Sequence, residues 1–397
     1  MGITRLHVRN FRLLADVTLE PGDVTVIFGP NGAGKTTLLD TLWFVRDCAI
    51  RGVEFASSSR SHGIGMLYDG ASPTDTIVVE TATSETTYEL SIALSAGRIE
   101  PFPGERLHSA AIGRNLIERD VGSNQARFWN TGAEESFSFT LREPDKLSLG
   151  RYLDFDARAS DAVRLDQMLR STQRLDSRSF NLFGLRQFGS EADHRTRLFD
   201  RADNLWSVLR NLQGRSGADE RYSTIVGYMR EALPDAFEEV LLEPTAPNVV
   251  YGSFVQKGRR KPVLASGVAD GHMQLLIVLT ALFSDSRERT STLLFDEPDL
   301  SLHPWAIAVL AKAIREACRN WNRQVILCTH SPVMMSQFEP SNIYASQADD
   351  TGAHLTRLSD IVEITHLLEE YSAGSLYMAQ LVAPQAPEEG VPVGGAS

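Results

Sequence analysis

Eight residues near the start of the chain, 29–36, have the sequence Gly-Pro-Asn-Gly-Ala-Gly-Lys-Thr. This spacing is typical of a loop that cradles phosphates, because glycines let backbone N–H groups turn towards the anion and a following helix adds positive charge at its N-terminus. Lys35 would neutralise the β- and γ-phosphate oxygens, and the Thr36 hydroxyl would ligate Mg²⁺. The sequence therefore predicts a nucleoside triphosphate site. Its predicted binding residues are Asn31, Gly32, Ala33, Gly34, Lys35, Thr36 and Thr37.

Two adjacent carboxylates, Asp296 and Glu297, follow the apolar run at residues 292–295. At the end of a buried strand, the first acid can hold Mg²⁺ through the metal's water. The second acid can orient and deprotonate the water that attacks a phosphate. We therefore assign Asp296 to the metal and Glu297 to the general base. The alternative is an ordinary strand end that carries two solvated acids.

A histidine, His330, follows a second apolar run at residues 324–328. If the two runs are neighbouring parallel strands, their carboxyl ends meet at one edge of a sheet. An imidazole there can hydrogen-bond a γ-phosphate. We predict that His330 does so, although a lone histidine is often a surface or core residue.

The elements that must position these residues are strands and the helices between them. An apolar strand at 24–28 precedes the phosphate loop, and residues 305–317 have the pattern of a crossover helix between the two later strands. Residues 77–80 and 87–92 are predicted strands of an N-terminal β lobe. The sequence thus predicts an α/β fold with an antiparallel N-terminal lobe, a central helical insertion and a parallel-sheet core.

Taken together, these motifs resemble those of the ABC-class ATPases. The similarity is to the branch of RecF, the SMC proteins and the stand-alone bacterial AAA family ATPases related to overcoming-lysogenization-type defence proteins. It is carried by the opening strand that ends in Asn10-Phe11-Arg12, the phosphate loop, the Asp-Glu-Pro-Asp-Leu-Ser-Leu-His-Pro run at 296–304 and the Thr-His-Ser-Pro run at 329–332. Both ends of the chain match well, and the centre matches loosely. The resemblance implies a P-loop NTPase head of the ABC type, with ATP and Mg²⁺ as cofactors.

The resemblance also implies a signature loop, whose best candidate is Ala269, Asp270 and Gly271. In the family, a serine hydroxyl and a glycine N–H of this loop bind the γ-phosphate of ATP held by the partner subunit. Here Ala269 stands where serine is usual, and Ser266 is a substitute under a shifted register. The family's glutamine loop has no clear counterpart among three candidates, Gln125, Gln173 and Gln187.

The chain divides into four predicted segments. Residues 1–100 form the first part of the head with the phosphate loop, and residues 101–235 form a mainly helical insertion without coiled-coil heptads. Residues 236–372 form the second part of the head, with the signature, the Asp-Glu strand and the histidine switch. Residues 373–397 form a tail, which is disordered from about residue 384 because it is rich in Pro, Gly and acidic residues.

Composition is that of a soluble globular protein, with 42% hydrophobic and 23% charged residues among 397. The apolar runs are too short to cross a membrane and no charged-then-apolar leader is present, so we expect a cytoplasmic protein that does not bind membranes. The three cysteines have no metal spacing and are expected to be reduced. A net charge of −12 disfavours a broad grip on nucleic acid, but a local basic cluster remains open. Two such clusters are residues 257–261 and Arg186 with the basic residues of 194–201.

The leading functional hypothesis is an ATP hydrolase that works as a conformational switch in repair or phage defence. One copy each of the phosphate loop and the signature predicts a homodimer that completes two sites. DNA is one expected partner. A separate nuclease or other effector protein is the other, since no acidic cluster after residue 345 resembles a Toprim nuclease domain. The alternatives are the nucleotide-binding subunit of an ABC transporter and a non-hydrolysing ATP-dependent clamp, which Ala269 favours and Glu297 opposes.

Overall fold

The protein is represented by a computed structural model. It describes residues 2–60, 64–95, 98–100, 102–215, 219–288, 290–361, 367 and 371–379. No helix within these ranges is both long enough and apolar enough to cross a membrane. The tail that we predict to be disordered from about residue 384 lies outside the described residues.

The strands of the described residues are numbered in chain order. They are β1 (Arg5–Phe11), β2 (Leu14–Leu19), β3 (Val24–Phe28), β4 (Ile77–Ala82), β5 (Thr86–Ile92), β6 (Leu94–Ser95), β7 (Arg98–Ile99), β8 (Gly104–Ser109), β9 (Arg114–Arg119), β10 (Gln125–Asn130), β11 (Glu135–Thr140), β12 (Gln173–Asp176), β13 (Ser190–Glu191), β14 (Glu239–Ala246), β15 (Val249–Val255), β16 (Val263–Leu264), β17 (Ser291–Asp296), β18 (Arg323–Thr329), β19 (Ile343–Asp349) and β20 (Gly352–Arg357).

The α-helices of the same residues are numbered in the same way. They are α1 (Lys35–Arg51), α2 (Val53–Ser58), α3 (Ser148–Phe155), α4 (Ser160–Ser171), α5 (Leu182–Gln187), α6 (Leu205–Gln213), α7 (Arg221–Ala232), α8 (Asp270–Phe283), α9 (Pro304–Asn320), α10 (Pro332–Met335) and α11 (Ala373–Met378).

Two large sheets organise the molecule. The first is antiparallel, with the strand order β11-β10-β9-β8-β5-β4-β1-β2. The second has the order β12-β17-β18-β3-β19-β20, and its pairs from β12 to β19 are parallel. A smaller sheet is formed by β13, β15 and β14, with β16 paired to β15. The predicted α/β fold, with an antiparallel N-terminal sheet and a parallel-sheet core, is confirmed.

The central parallel strands are buried on both faces, which is why they are almost continuous apolar runs. Successive residues of β17 serve two different hydrophobic clusters. Leu293 and Phe295 pack in the cluster that contains α8 and α9, and Leu294 packs in the cluster that contains α1 and the antiparallel sheet. The parallel sheet is therefore the layer that separates the two cores.

The registers of this sheet bring several strand ends to one edge. Asp176 of β12 pairs with Asp296 of β17, and Asp296 pairs in turn with Cys328 of β18. Thr329 of β18 pairs with Phe28, the last residue of β3. Because parallel strands end at the same edge, the loops after all four strands meet there.

The segment after residue 101 differs from the sequence expectation of a mainly helical insertion. It first continues the antiparallel sheet through β8, β9, β10 and β11, and helices begin only at Ser148. These strands are short, and β11 is almost wholly exposed, so it lacks the alternation of apolar and polar residues by which a strand is recognised. Gly113 and Gly122 take left-handed φ angles of 67° and 77° in two of the connecting turns. Later in the same segment, β12 joins the parallel sheet, so the segment contributes to the head itself.

The cysteines are free thiols, with Cys48 and Cys328 buried and Cys318 partly buried. Burial raises the pKa of the Cys318 thiol to about 12 and the pKa values of the other two well above their ordinary range. The thiols are therefore protonated at neutral pH and do not act as nucleophiles.

Candidate nucleotide site

The phosphate loop connects the end of β3 to the start of α1, and two of its glycines are required by space. A Cβ on Gly29, at φ 150°, would lie 2.0 Å from the backbone oxygen of Ser346. Gly34 is the N-cap of α1 at φ 86°, and a Cβ there would lie 2.9 Å from the Ala353 Cβ. The hydroxyl of Ser346 also donates to the Ala33 carbonyl at 2.5 Å. Strands β19 and β20 therefore hold the loop against the N-terminus of α1.

Lys35 is the first residue of α1 and is buried. Its ammonium donates to the carbonyls of Gly29 at 3.0 Å and Pro30 at 2.7 Å, so the charge lies inside the loop. Burial lowers the pKa of Lys35. A buried ammonium whose two hydrogen bonds go to neutral carbonyls is well suited to bind an anion, because burying a charge costs free energy unless the charge is paired.

The other predicted loop residues lie around Lys35. Asn31 and Gly32 are exposed at the tip, Ala33 and Gly34 are buried, Thr36 is exposed and Thr37 is half-buried. Exposed backbone at the tip and an exposed Thr36 hydroxyl leave groups of the loop open to a ligand.

Asp296 lies beside Thr36, as the sequence predicts for a shared metal site. The Thr36 hydroxyl hydrogen-bonds the Asp296 carboxylate, while burial raises the pKa of that carboxyl. Arg174, from the neighbouring β12, lies 3.6 Å from the same carboxylate. A hydroxyl and a carboxylate that lie side by side at the phosphate loop fit Mg²⁺, which prefers oxygen ligands and keeps several waters.

Glu297 follows in a left-handed conformation, with φ 53°. Its N–H donates to the Cys328 carbonyl at 2.9 Å, which fixes the turn to β18. One nitrogen of Arg178, Nη2, contacts both carboxylate oxygens, at 2.6 and 2.7 Å. A strained backbone that aims a carboxylate into a polar cleft is common at functional sites.

His330 lies on the other side of Glu297. Its Nε2 is 3.5 Å from Glu297 Oε1, and the ring hydrogen-bonds the backbone of Gly29. Burial, followed by the charge of Lys35, lowers the pKa of His330. A neutral imidazole carries a single N–H, so the ring donates to only one acceptor at a time. The structure brings His330 to the phosphate loop, as the sequence suggested.

The signature candidate begins α8, at a different surface of the same chain. Ala269 is the N-cap of this helix, and its side chain offers no cap hydrogen bond. Arg186 fixes the loop by donating to the Val268 carbonyl and pairing with Asp270, both at 2.6 Å. A Cβ on Gly271 would lie 2.3 Å from the Ser301 carbonyl oxygen. This glycine is therefore required by packing within its own chain, whatever it does across an interface.

The sequence offers one substitute for the family's serine and three candidates for its glutamine, and the structure gives the position of each. Ser266 is exposed in a turn before α8 and does not cap the helix. Among the glutamine-loop candidates, Gln173 is the first residue of β12. The other end of this strand, at Asp176, is the end that lies beside Asp296. Gln125 lies on β10, and Gln187 is exposed at the end of α5.

Four arginines near the site were not identified from the sequence as site residues, and three of them share one partner. Arg12, Arg60 and Arg174 all contact the buried Asp40 of α1, at 3.0, 3.0 and 3.2 Å. Arg12 belongs to the Asn-Phe-Arg run, so this run is the only sequence feature that pointed to any of them. The fourth, Arg178, carries no motif, because β12 is short and has a single apolar residue between polar ones.

The described residues offer few other metal ligands. Within the described ranges, no group of three or more His, Cys, Asp or Glu side chains is placed to hold a metal ion. Protein ligands for Mg²⁺ at this edge would therefore be Thr36 and Asp296, with the remaining positions left to phosphate and water.

Known proteins resemble this chain at the level of a family model and of individual relatives. The family model described as "AAA domain, putative AbiEii toxin, Type IV TA system" matches residues 24–336. The OLD nuclease of Thermus scotoductus is 23% identical over 363 residues, which cover 88% of this chain and 63% of the nuclease. The DNA replication and repair protein RecF of Roseiflexus castenholzii is 49% identical over 47 residues, 11% of this chain and 12% of RecF. This chain thus spans less than two thirds of the length of either relative.

Solved structures of SMC heads share the fold. An Smc head bound to the C-terminal winged-helix domain of ScpA superimposes with a TM-score of 0.55 at 15% identity, covering 90% of this chain and 98% of that one. An Smc head with an extended coiled coil, bound to a ScpA domain derived from Pyrococcus furiosus, gives 0.53 at 13% identity, covering 93% and 99%. The chain therefore belongs to the AAA domain family whose model matches residues 24–336, and its resemblance to the ABC-type proteins of the RecF- and SMC-like branch, including the OLD nuclease, is confirmed.

Proposed function

We propose that this protein is a Mg²⁺-dependent ATP hydrolase whose nucleotide state switches its assembly. The observation that carries the proposal is the meeting of Lys35, the Thr36–Asp296 pair and Glu297 at one edge of the parallel sheet. These are a cation for phosphate oxygens, ligands for a metal and a carboxylate that can accept a proton. Lys35 and Thr36 are at the N-terminus of α1, and Asp296 and Glu297 are at the end of β17.

Each side chain has a separate task in this proposal. Lys35 holds the β- and γ-phosphate oxygens, and the N–H of His330 would turn from the Gly29 backbone to the terminal phosphate. Glu297 orients the attacking water and takes its proton. Mg²⁺, when bound by Thr36 and Asp296, would neutralise the charge on the phosphate oxygens.

The non-hydrolysing clamp remains the second candidate. Arg178 engages both oxygens of Glu297, and a base in this ion pair does not accept a proton. Ala269 also removes a hydroxyl from the signature. Glu297 itself, with His330 beside it, favours hydrolysis. The ABC transporter alternative has no comparable support, since the family match lies with RecF-like and OLD-like proteins.

We further propose that the output is exerted as a homodimer on DNA or on a partner protein. Support for DNA comes from the relatives, which include a nuclease and a DNA repair protein. The chain itself offers one exposed basic turn, Lys257 to Lys261, between the paired strands β15 and β16. The second basic cluster is not one surface, because Arg186 binds the signature loop and Arg197 bonds to the Ser171 carbonyl. Nuclease chemistry would come from residues outside the described ranges or from another polypeptide.

Two variants test the proposed function. Lys35→Ala should abolish binding of Mg²⁺-ATP by calorimetry, while Lys312→Ala, which removes an exposed ammonium paired with Glu231, should bind normally. Glu297→Gln should bind ATP and release phosphate more slowly by roughly a hundredfold, because the amide cannot accept the proton. Wild-type turnover in Glu297→Gln, or unchanged affinity in folded Lys35→Ala, would overturn the assignment of the site. Absent turnover in the wild type, with ATP binding intact, would favour the clamp.

A further inference from the structure

Arg178 has an unusual partner for an exposed arginine. Its side chain is 66% exposed, whereas that of Glu297 is only 14% exposed. Nη2 donates to both carboxylate oxygens of Glu297, at 2.6 and 2.7 Å. Both oxygens of Glu297 thus already accept from one guanidinium nitrogen in a charge-assisted contact, which competes with a water molecule for them. In this arrangement Glu297 is not ready to activate water.

The backbone that carries Arg178 is firmly held. Ser177 N–H donates to the Asp296 carbonyl at 3.1 Å, and Arg178 N–H donates to the Asp176 side chain at 2.9 Å. The Ser177 carbonyl in turn accepts from Gln274 of α8 at 3.4 Å. Only the exposed side chain of Arg178 is therefore free to change partners, and such a change needs rotation about side-chain bonds alone.

A second partner for this guanidinium lies within its electrostatic reach. Glu297 Oε1, which accepts from Arg178 Nη2 at 2.6 Å, is also 3.5 Å from His330 Nε2, so the guanidinium lies beside the imidazole that faces the phosphate loop. A terminal phosphate held between Lys35 and His330 would thus lie close to Arg178. With two or more negative charges, it is a stronger competitor for a guanidinium than one carboxylate.

We propose that Arg178 is a positioning residue that binds Glu297 when no nucleotide is present and moves to the terminal phosphate of ATP. The move would free Glu297 to orient water, so that the base becomes available only when its substrate is in place. ADP lacks the terminal phosphate and would leave the Arg178–Glu297 pair intact. This inference rests on the proposed function, because it requires ATP in the phosphate loop.

A double-mutant cycle tests the exchange. Affinities for a non-hydrolysable ATP analogue and for ADP, both with Mg²⁺, are measured by calorimetry in the wild type, Arg178→Ala, Glu297→Gln and the double variant. Arg178→Ala should weaken binding of the analogue by roughly tenfold and leave ADP binding within about twofold. Glu297→Gln should tighten analogue binding when Arg178 is present, because no ion pair then has to break, and should have no such effect in Arg178→Ala.

Two further variants complete the design. Arg178→Lys keeps the charge without the fork geometry and should restore part of the analogue affinity. Arg151→Ala removes an equally exposed guanidinium from a surface pair with Asp154 and should change neither affinity. Partial rescue by lysine excludes a purely structural effect of the alanine.

The outcomes separate the two levels of the proposal. Equal weakening of analogue and ADP, or identical effects of Glu297→Gln with and without Arg178, would overturn the exchange while leaving the ATPase assignment intact. A wild-type protein that binds neither nucleotide would overturn the proposed function, and the exchange with it.

Discussion

Asp296 and Glu297 are neighbours in the chain, but their surroundings give them different work. Asp296 is the last residue of β17, buried beside the Thr36 hydroxyl and within 3.6 Å of Arg174. Glu297 is turned by its left-handed backbone towards Arg178 and His330. The first carboxylate therefore lies beside Thr36, the other proposed metal ligand. The second faces the cleft where water would attack.

Asp296→Asn tests the metal role. The amide keeps an acceptor for Thr36 but removes the negative charge, so the Mg²⁺ concentration for half-maximal phosphate release should rise by roughly 10- to 100-fold. Asp154→Asn, a change at an exposed carboxylate on α3, is the matched control. The same half-saturating Mg²⁺ concentration in Asp296→Asn and wild type would contradict the assignment.

His330 gives a pH dependence of known sign. Burial lowers its pKa below the ordinary 6.5, so the folded state takes up a proton less readily than the unfolded state. Its contribution to stability is complete above pH 6.5 and is lost as pH falls from 6.5 through the folded pKa. Urea unfolding at pH 7.5, 6.5 and 5.5 should show a smaller acid-dependent loss in His330→Asn than in wild type.

Comparison with this variant is necessary because other groups titrate in the opposite sense. Burial raises the pKa values of Asp296 and Asp299, and such groups stabilise the fold as pH falls. Parallel pH profiles for His330→Asn and wild type would show that His330 is not the group responsible.

At the scale of elements, α1 is the place where distant segments are tied to the site. Asp40, on this helix, accepts from Arg12 of the β1–β2 turn, from Arg60 after α2 and from Arg174 of β12. Arg174 also approaches Asp296, so one buried cluster links α1 to the metal ligand. Arg60 is only 5% exposed, and a charge buried to this degree needs its counter-ion.

Asp40→Ala should therefore be strongly destabilising. Removing the carboxylate takes away the partner that three guanidinium groups share. Arg60 keeps Asp47 at 2.9 Å and Arg174 keeps Asp296 at 3.6 Å, so the expected loss of unfolding free energy is at most about 3–5 kcal/mol. Asp154→Ala breaks a surface pair with Arg151 and should cost less than about 1 kcal/mol. Urea unfolding measures both. A loss for Asp40→Ala no larger than that for Asp154→Ala would show that the cluster does not stabilise the fold.

Which elements were predictable follows from how they are buried. Strands β3, β17 and β18 are recognisable because burial on both faces makes them apolar throughout. Strands β8 to β11 are hard to recognise from the sequence, because exposed positions interrupt their apolar pattern. Motif residues such as Lys35 were identified because phosphate chemistry fixes their spacing. Arg178 was missed because a long side chain finds its partner only through the tertiary fold.

At the scale of the whole molecule, the signature at Ala269 and the phosphate loop are on one chain but should act across two. We expect ATP to favour a dimer in Glu297→Gln, since the helix N-terminus of one subunit would face the γ-phosphate held by the other. Ala269→Ser adds a hydroxyl at the exposed N-cap of α8 and should tighten the dimer, whereas Ala269→Gly adds none and should not. Sedimentation velocity with and without Mg²⁺-ATP measures the effect.

The serine should also stabilise the monomer, because a serine at the N-cap stabilises a helix by about 0.5–2 kcal/mol relative to alanine. Melting of the nucleotide-free protein reports that effect separately. A monomer in all conditions would refute the homodimer, and a dimer indifferent to nucleotide would mean that another interface holds it.

The order of the parallel sheet also determines when this protein can first bind its ligand during synthesis. Strand β3 lies between β18 and β19, whose paired residues follow it in the chain by 301 and 317 positions. At 5–20 residues per second, β3 and the phosphate loop wait roughly 15–60 s on the ribosome before either neighbour has been made. Until then the apolar strand has no pairing partner in the sheet and needs shielding from aggregation. A nascent chain shorter than residue 323 thus carries the whole phosphate-loop sequence without the sheet that gives it its shape.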